Sequence, residues 1–330
     1  MSHTNGVVLD SMAKIGLISV DSHNFPSIPL MKLSAWHKRQ GDEVEWYNPF
    51  THYDLVYKSK VFSGTADYLY PINADRVVRG GTGYAIHGAG GEHYRKEDDP
   101  PLTGEVEHIM PDYSLYGIKD TAYGFLTRGC PRGCSFCIVA GKEGKCSVKV
   151  ADLSEFWGGQ KHIVLCDPNI LACKEWKDLL GQLAESKANI DLNQGLDARM
   201  LTEEKCLAIE KLKIKEIHFA WDRYEDKNIV LPKLKIFSEI CRKRPHMHTD
   251  IVYVLVNHGT TIEQDLERIY TLRDLGYWAY VMVYDKPHAP QVIRDLQRWC
   301  NNRYIFGSCP RFEDYGKNII KEDKRQLQLF

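Results

Sequence analysis

No apolar run in the sequence approaches the ~20 residues that a helix needs to span a bilayer. The N-terminus carries neither the charged nor the apolar region of a signal peptide. Both absences argue against a membrane partner and lead to the expectation of a cytoplasmic protein. Net charge is nearly missing as well: 43 basic residues against 44 acidic ones leave −1 at pH 7. Nothing global therefore argues for an obligate nucleic-acid binder. The short basic runs Arg242-Lys243-Arg244 and 211–215 read as solvated helix ends. Internal repeats and low-complexity segments are absent, which excludes solenoids and tandem arrays.

What is present is an ordinary globular composition. The chain has 330 residues, 43% hydrophobic and 26% charged, enough for one large domain or two of average size. Its ten cysteines, in a reducing compartment, serve as metal ligands, nucleophiles or core filler rather than disulfides. Residues 1–13 read as a disordered leader, and the charged tail within 301–330 as a solvated C-terminal extension.

Hydrophobic patterning divides the rest. Apolar strands are expected at 14–21, 43–47, 53–57 and 76–79, with a helix over 30–40. Strands alternating with helices imply a small doubly wound parallel sheet over 14–87. A Gly-, Pro- and charge-rich stretch at 88–118 reads as a linker. A second series of strands is expected at 123–127, 162–167, 190–194, 216–220, 251–257 and 277–284, with amphipathic helices such as 201–212 and 262–275 between them. Six βα units over 119–300 fit an incomplete (β/α)6 TIM-like barrel with its active site at the C-terminal strand ends. The expected class is thus α/β, a doubly wound domain followed by an incomplete barrel.

One motif carries the chemistry. Thr127-Arg-Gly-Cys130-Pro-Arg-Gly-Cys134-Ser-Phe-Cys137 places three cysteines, spaced by three and two residues, in a Gly-rich loop after a strand. A [4Fe–4S] cubane takes four ligands, so three thiolates leave one iron open to a cofactor or substrate. A structural zinc site normally wants a fourth Cys or His at close spacing, and only Cys146 or His162 is at hand. The other seven cysteines show no second tight spacing. Cys206 and Cys241 fall within helical patterns and read as core thiols.

On these residues the chain resembles the radical S-adenosylmethionine superfamily, matching its CxxxCxxC loop including the aromatic residue before the last cysteine, Phe136. The resemblance implies a [4Fe–4S] cluster on Cys130, Cys134 and Cys137 whose open iron chelates S-adenosylmethionine. It implies reductive cleavage to a 5′-deoxyadenosyl radical that abstracts hydrogen from a substrate (small molecule, peptide or nucleoside), with flavodoxin or ferredoxin as electron donor. The protein then orients the cofactor and excludes side reactions. It further implies cofactor-binding roles at the strand ends. Phe136 would pack beside the adenine, and Asp167 or Asn169 stands where the family often has Gly-Gly-Glu for the methionine amine. Gln194, Asp197 and Arg199 end the third strand, where Arg199 suits a carboxylate through its planar fork or pairs with Asp197 in a structural ion pair. Asp222 would accept from the ribose hydroxyls, and Asn257 ends the strand where backbone approaches the nucleoside.

The first domain resembles a cobalamin-binding domain in degenerate form, through Asp21-Ser-His23, Ser59-Lys-Val61 and Gly80-Gly81. The usual glycine three residues after the histidine is Pro26, which fixes φ and removes a donor, and the middle element ends in valine. These departures disfavour retained cobalamin, so cobalamin-dependent radical methylation is the alternative enzyme. The alternative of another class is a non-catalytic interaction protein that uses the cysteines for zinc or an inert cluster.

Overall fold

The computed structural model describes residues 12–21, 25–87, 93–241, 246–247 and 249–315. The leader before Met12, His23 of the cobalamin-like motif, the basic run at 242–244 and the tail after Tyr315 lie outside these residues.

The first strand, β1 (Lys14–Ser19), buries four consecutive residues, Ile15 to Ile18, as a parallel strand covered on both faces does. Helix α1 (Ile28–Gln40) starts at Ser27, whose hydroxyl accepts the Leu30 N–H, and stops at Gly41 in the left-handed region, φ 93°. Strands β2 (Glu43–Trp46), β3 (Tyr53–Ser59) and β4 (Ala74–Gly80) complete a sheet of order β2-β1-β3-β4, parallel throughout. Ile15 and Leu17 pack with Leu30 of α1 on one side. Ile18, Tyr53 and Val56 form a second cluster that Tyr47, Tyr68 and Ile72 cover. The sheet is parallel as expected, but the connections over 47–52 and 60–73 hold no helix. Aromatic side chains, not helices, cover that cluster.

The same unit contains α2 (Thr82–Ala85) and an antiparallel pair, β5 (Ile86–His87) with β6 (His93–Tyr94). The stretch expected as a linker therefore carries structure, including three 3-10 turns. Strand β7 (Thr121–Gly124) and helix α3 (Val139–Lys142) also belong here. An added Cβ on Gly124 would stand 2.4 Å from the Phe156 ring, so only glycine allows that contact.

The second unit begins with β8 (Thr127–Arg128), paired antiparallel with β9 (Val148–Lys149). The single strand expected over 123–127 is divided, because the Leu126 N–H donates to a side chain, Asp167, instead of to a strand. The next elements are β10 (His162–Leu165), α4 (Trp176–Ser186), β11 (Asn189–Leu192), α5 (Glu203–Glu210) and β12 (Lys213–Ile214). They are followed by β13 (Ile217–Ala220), α6 (Lys227–Ile240), β14 (Asp250–Val256), α7 (Ile262–Asp274), β15 (Trp278–Val283), α8 (Gln291–Asn301) and α9 (Arg303–Ser308). Strand order is β12-β11-β10 in one sheet and β13-β14-β15 in the other, the latter parallel in register. One parallel bridge, Leu196 to Phe219, joins the two sets.

Alternation along β13, β14 and β15 sends Phe219, Val252, Val254, Ala279 and Val281 to a fully buried face, where Phe219 meets Phe237 of α6. His218, Tyr253 and Tyr280 stand on the opposite face. Helix α7 opens on a capping box between Thr261 and Gln264. The protein is thus a mixed α/β structure with parallel sheets. Among the described residues no helix is long and apolar enough to cross a membrane.

Candidate functional site

The cysteine loop leaves β8 through Gly129 and turns at Gly133, both with positive φ (85° and 57°). Glycine adopts such values without a Cβ penalty. Cys130 groups with the second unit, Cys134 and Cys137 with the first. Cys130 and Cys134 are half-buried and Cys137 is exposed. The Cys137 N–H donates to the Cys134 carbonyl at 3.0 Å, a tight turn between the last two thiols. Phe136 is half-buried. Among the described residues, no group of three or more His, Cys, Asp or Glu is gathered closely enough to hold a metal ion.

Asp167 anchors the start of the loop. Its carboxylate accepts the Leu126 N–H at 2.9 Å, the Thr127 N–H at 2.6 Å and the Thr127 hydroxyl at 2.6 Å. Burial pushes this carboxyl up to about 6, against the pull of the Thr127 and Leu126 bonds and of Arg128. Asp167 was expected to contact the cofactor; here it positions the chain before Cys130. Asp167→Ala would leave two buried N–H groups and a hydroxyl without an acceptor. The expected loss is ~3 kcal/mol or more, read from urea unfolding. A loss below ~1 kcal/mol would show that water replaces the carboxylate.

Asn169 links Cys130 to the next strand end. Its Nδ2 donates to Cys130 Sγ at 3.5 Å and to Asp197 Oδ2 at 3.3 Å. Its own carbonyl accepts the Ser147 hydroxyl at 2.8 Å. Asn169 Oδ1 is buried with no partner. A buried acceptor left alone costs free energy unless a ligand satisfies it.

Asp197 and Arg199 form an ion pair. Arg199 Nε donates to Asp197 Oδ1 at 2.7 Å, and Arg199 Nη1 to Asp226 Oδ2 at 2.9 Å. Burial works against the guanidinium charge, but the two carboxylates outweigh it and hold the pKa of Arg199 above its ordinary value. The fork that sequence reading offered to an external carboxylate thus holds two of the chain's own. Gln194 is exposed in the turn after β11. Asn257 sits at φ 62° and donates through Nδ2 to the Tyr284 carbonyl at 2.8 Å, tying the ends of β14 and β15.

Neither a family model nor a curated protein matches the chain. The reading of the site therefore rests on its residues.

Burial pushes the Asp222 carboxyl up to about 6, opposed by the charges of Arg199 and Arg268. This value lies above the ordinary 3.8, so the folded state binds the proton more tightly than the unfolded chain. The stability contributed is whole below pH ~4 and is lost as pH rises through about 6. Asp222→Asn is expected to remove that fall. The check is the wild-type-minus-variant difference in urea midpoint at about pH 4.5 and about pH 7. An equal difference at both would show that the carboxyl titrates normally.

Sequence reading missed one buried group here, Arg268 on α7, which is fully buried with Asp265. Arg268 Nη1 donates to the Trp221 and Asp222 carbonyls at 2.7 and 2.8 Å, and Nη2 to the Leu255 carbonyl at 2.8 Å and Asp265 Oδ1 at 2.6 Å. It therefore fixes chain leaving β13 and the end of β14. The available signal was Asp265-x-x-Arg268 on an amphipathic helix, where i, i+3 residues meet. Cys206 and Cys241 are buried as expected, and burial pushes the Cys206 thiol up to about 11.

The cobalamin-like elements of the first unit are engaged by the chain itself. Asp21 accepts the Val61 and Phe62 N–H groups at 2.9 and 2.7 Å, and the Ser27 and Ser59 hydroxyls bond at 3.2 Å. A Cβ on Gly81 would lie 2.3 Å from the Lys60 carbonyl oxygen, so this glycine makes room for backbone rather than for a nucleotide tail. His23, the residue that would coordinate cobalt, lies outside the described residues.

Proposed function

We propose that the chain is a radical S-adenosylmethionine enzyme, with Cys130, Cys134 and Cys137 holding a [4Fe–4S] cluster. The carrying observation is the three-thiol loop together with the amide of Asn169 directed at Cys130 Sγ. Three soft thiolates suit iron–sulfur ligation. An N–H donated to a ligating sulfur stabilises its negative charge and tunes the cluster. When bound, the cluster supplies one electron to cleave S-adenosylmethionine for hydrogen abstraction.

The chain's own residues do the rest. Asp167 holds Leu126 and Thr127 so that Cys130 leaves β8 in a set direction. Asn169 orients Cys130, and its lone Oδ1 is an acceptor for the cofactor's amino group. The Asp197–Arg199–Asp226 network keeps the turn after β11 rigid. Asp222 is the acceptor for ribose hydroxyls, and Arg268 fixes the backbone that carries it. The strand sets β12-β11-β10 and β13-β14-β15, bridged at Leu196 and Phe219, are read as parts of one incomplete βα barrel. A flavodoxin- or ferredoxin-type protein is the proposed electron donor.

The test is anaerobic reconstitution with iron and sulfide, metal analysis, then dithionite and S-adenosylmethionine with an assay for 5′-deoxyadenosine. Iron, sulfide and 5′-deoxyadenosine together are the expected result. Zinc retained without iron or sulfide would overturn the proposal in favour of a metal-stabilised interaction protein.

A further inference from the structure

Strand β15 is the last of its sheet, and side chains from α8 close its outer edge. Asn301 Oδ1 accepts the Val281 N–H at 2.8 Å, and its Nδ2 donates back to the Val281 carbonyl at 2.9 Å. Gln297 Nε2 donates to the same carbonyl at 3.2 Å. Satisfying an edge in this way prevents another strand from adding there.

Gln297 and Asn301 share a face of α8 with Arg294 and Arg298, at i, i+3, i+4 and i+7 from Arg294. The buried residues Ile293, Leu296, Trp299 and Cys300 turn to the other side. Above this polar face lies an open cleft of about 460 Å³, lined by Arg294, Arg298, Lys286 and Tyr280 along with the amides Gln297, Asn301 and Asn302. Among the described residues no carboxylate lines it. The two acids nearest in sequence are engaged elsewhere, Asp285 with His288 at 2.9 Å and Asp295 with Gln291 at 2.8 Å. Three cations in one concavity focus a positive potential that attracts an anion.

Tyr280 adds a second kind of contact. It stands on the sheet face opposite the buried core, within a row of rings that continues to Trp278, 6.2 Å away. The His218 and Tyr253 rings stack with centroids 5.4 Å apart at 27°, and Tyr253 meets Tyr280 edge-on at 5.8 Å. Within this row His218 Nδ1 is buried without a partner. Cations grouped beside an aromatic platform are the two components of nucleotide binding: phosphate on the basic groups, base against the ring.

We infer that this cleft binds a nucleotide unit, its phosphate on Lys286, Arg294 and Arg298 and its base against Tyr280. The substrate class is then a phosphorylated nucleoside, free or within a strand. The inference rests on the proposed enzyme reading only in calling the ligand a substrate; binding itself requires no cluster.

The test is a titration of the full chain with adenosine 5′-monophosphate by calorimetry and with a fluorescein-labelled single-stranded RNA dodecamer by anisotropy. Both are run with and without anaerobic reconstitution. Arg294→Glu/Arg298→Glu is expected to weaken binding about tenfold or more and to lower the salt slope by about one per lost cation. Arg294→Lys/Arg298→Lys retains binding. Tyr280→Phe binds as wild type, whereas Tyr280→Ala is several-fold weaker because the stacking surface is gone. Binding of the monophosphate identifies a free nucleotide, and binding of the dodecamer alone a strand. No binding of either probe overturns the inference, as does equal binding by the glutamate double variant or by an acidic peptide of matched charge. A failed cluster assay with intact binding sinks only the enzyme reading, and an active cluster without binding sinks only this inference.

Discussion

Cys134→Ala is expected to bring 5′-deoxyadenosine formation down to the level of a reductant-only blank, with the fold retained. The side chain is half-buried, between the exposed residues Gly133 and Ser135. Removing its sulfur therefore opens no core cavity, and stability should change by less than ~1 kcal/mol. The chemistry is different. A cubane with one iron left open needs all three protein thiolates, and Cys130 with Cys137 supplies only two. Iron and sulfide per chain after reconstitution should fall with the product. Cys146→Ala is the informative partner. Cys146 is exposed, directly before Ser147 and nine residues after Cys137, and lies outside the motif. It should keep both cluster and product. Loss of the cluster in Cys146→Ala would make that thiol a ligand and remove the open iron on which the proposed chemistry depends.

Arg268→Met carries the largest expected loss of stability. Methionine approximates the length of the side chain but donates no hydrogen bond. Asp265 would be left as a buried carboxylate without its partner, and the carbonyls of Trp221, Asp222 and Leu255 would lose their donor. Breaking a buried pair from one side costs ~3–5 kcal/mol, and at ~2–4 °C per kcal/mol the melting temperature should fall by roughly 10 °C. Asp265→Leu/Arg268→Met should recover part of this, because the buried charge is removed along with its partner. The three carbonyls remain without a donor in both variants. A single variant that melts within ~2 °C of wild type would mean that water reaches this site and replaces the guanidinium.

Strands β1 and β14 were legible because both faces of each are largely covered, so the runs Ile15–Ile18 and Val252–Val256 appear as continuous apolar stretches. Helix limits were legible within a few residues where a cap marks them, as with Thr202 before α5 and Thr261 before α7. The connection over 60–73 was not. Tyr68 and Ile72 of that stretch, with no helical period to read, cover a sheet cluster that a doubly wound pattern assigns to a helix.

The cysteine motif was determined by the sequence alone, because three thiols at fixed close spacing in a Gly-rich turn are a property of local chain geometry. Only the tertiary structure decided what the surrounding polar residues do. Asp167 and Arg199 follow apolar strands and read as candidate cofactor contacts, Arg199 alternatively as the partner of Asp197, while Asp21 reads as part of the cobalamin-like motif. Each proves to be bound to partners 27 to 41 residues away, which spacing along a chain cannot reveal. Arg268 illustrates the same limit from the other direction. An Asp and an Arg one helical turn apart describe a solvated surface pair as well as a buried one. Burial is a property of what packs over a residue, and only the fold supplies it.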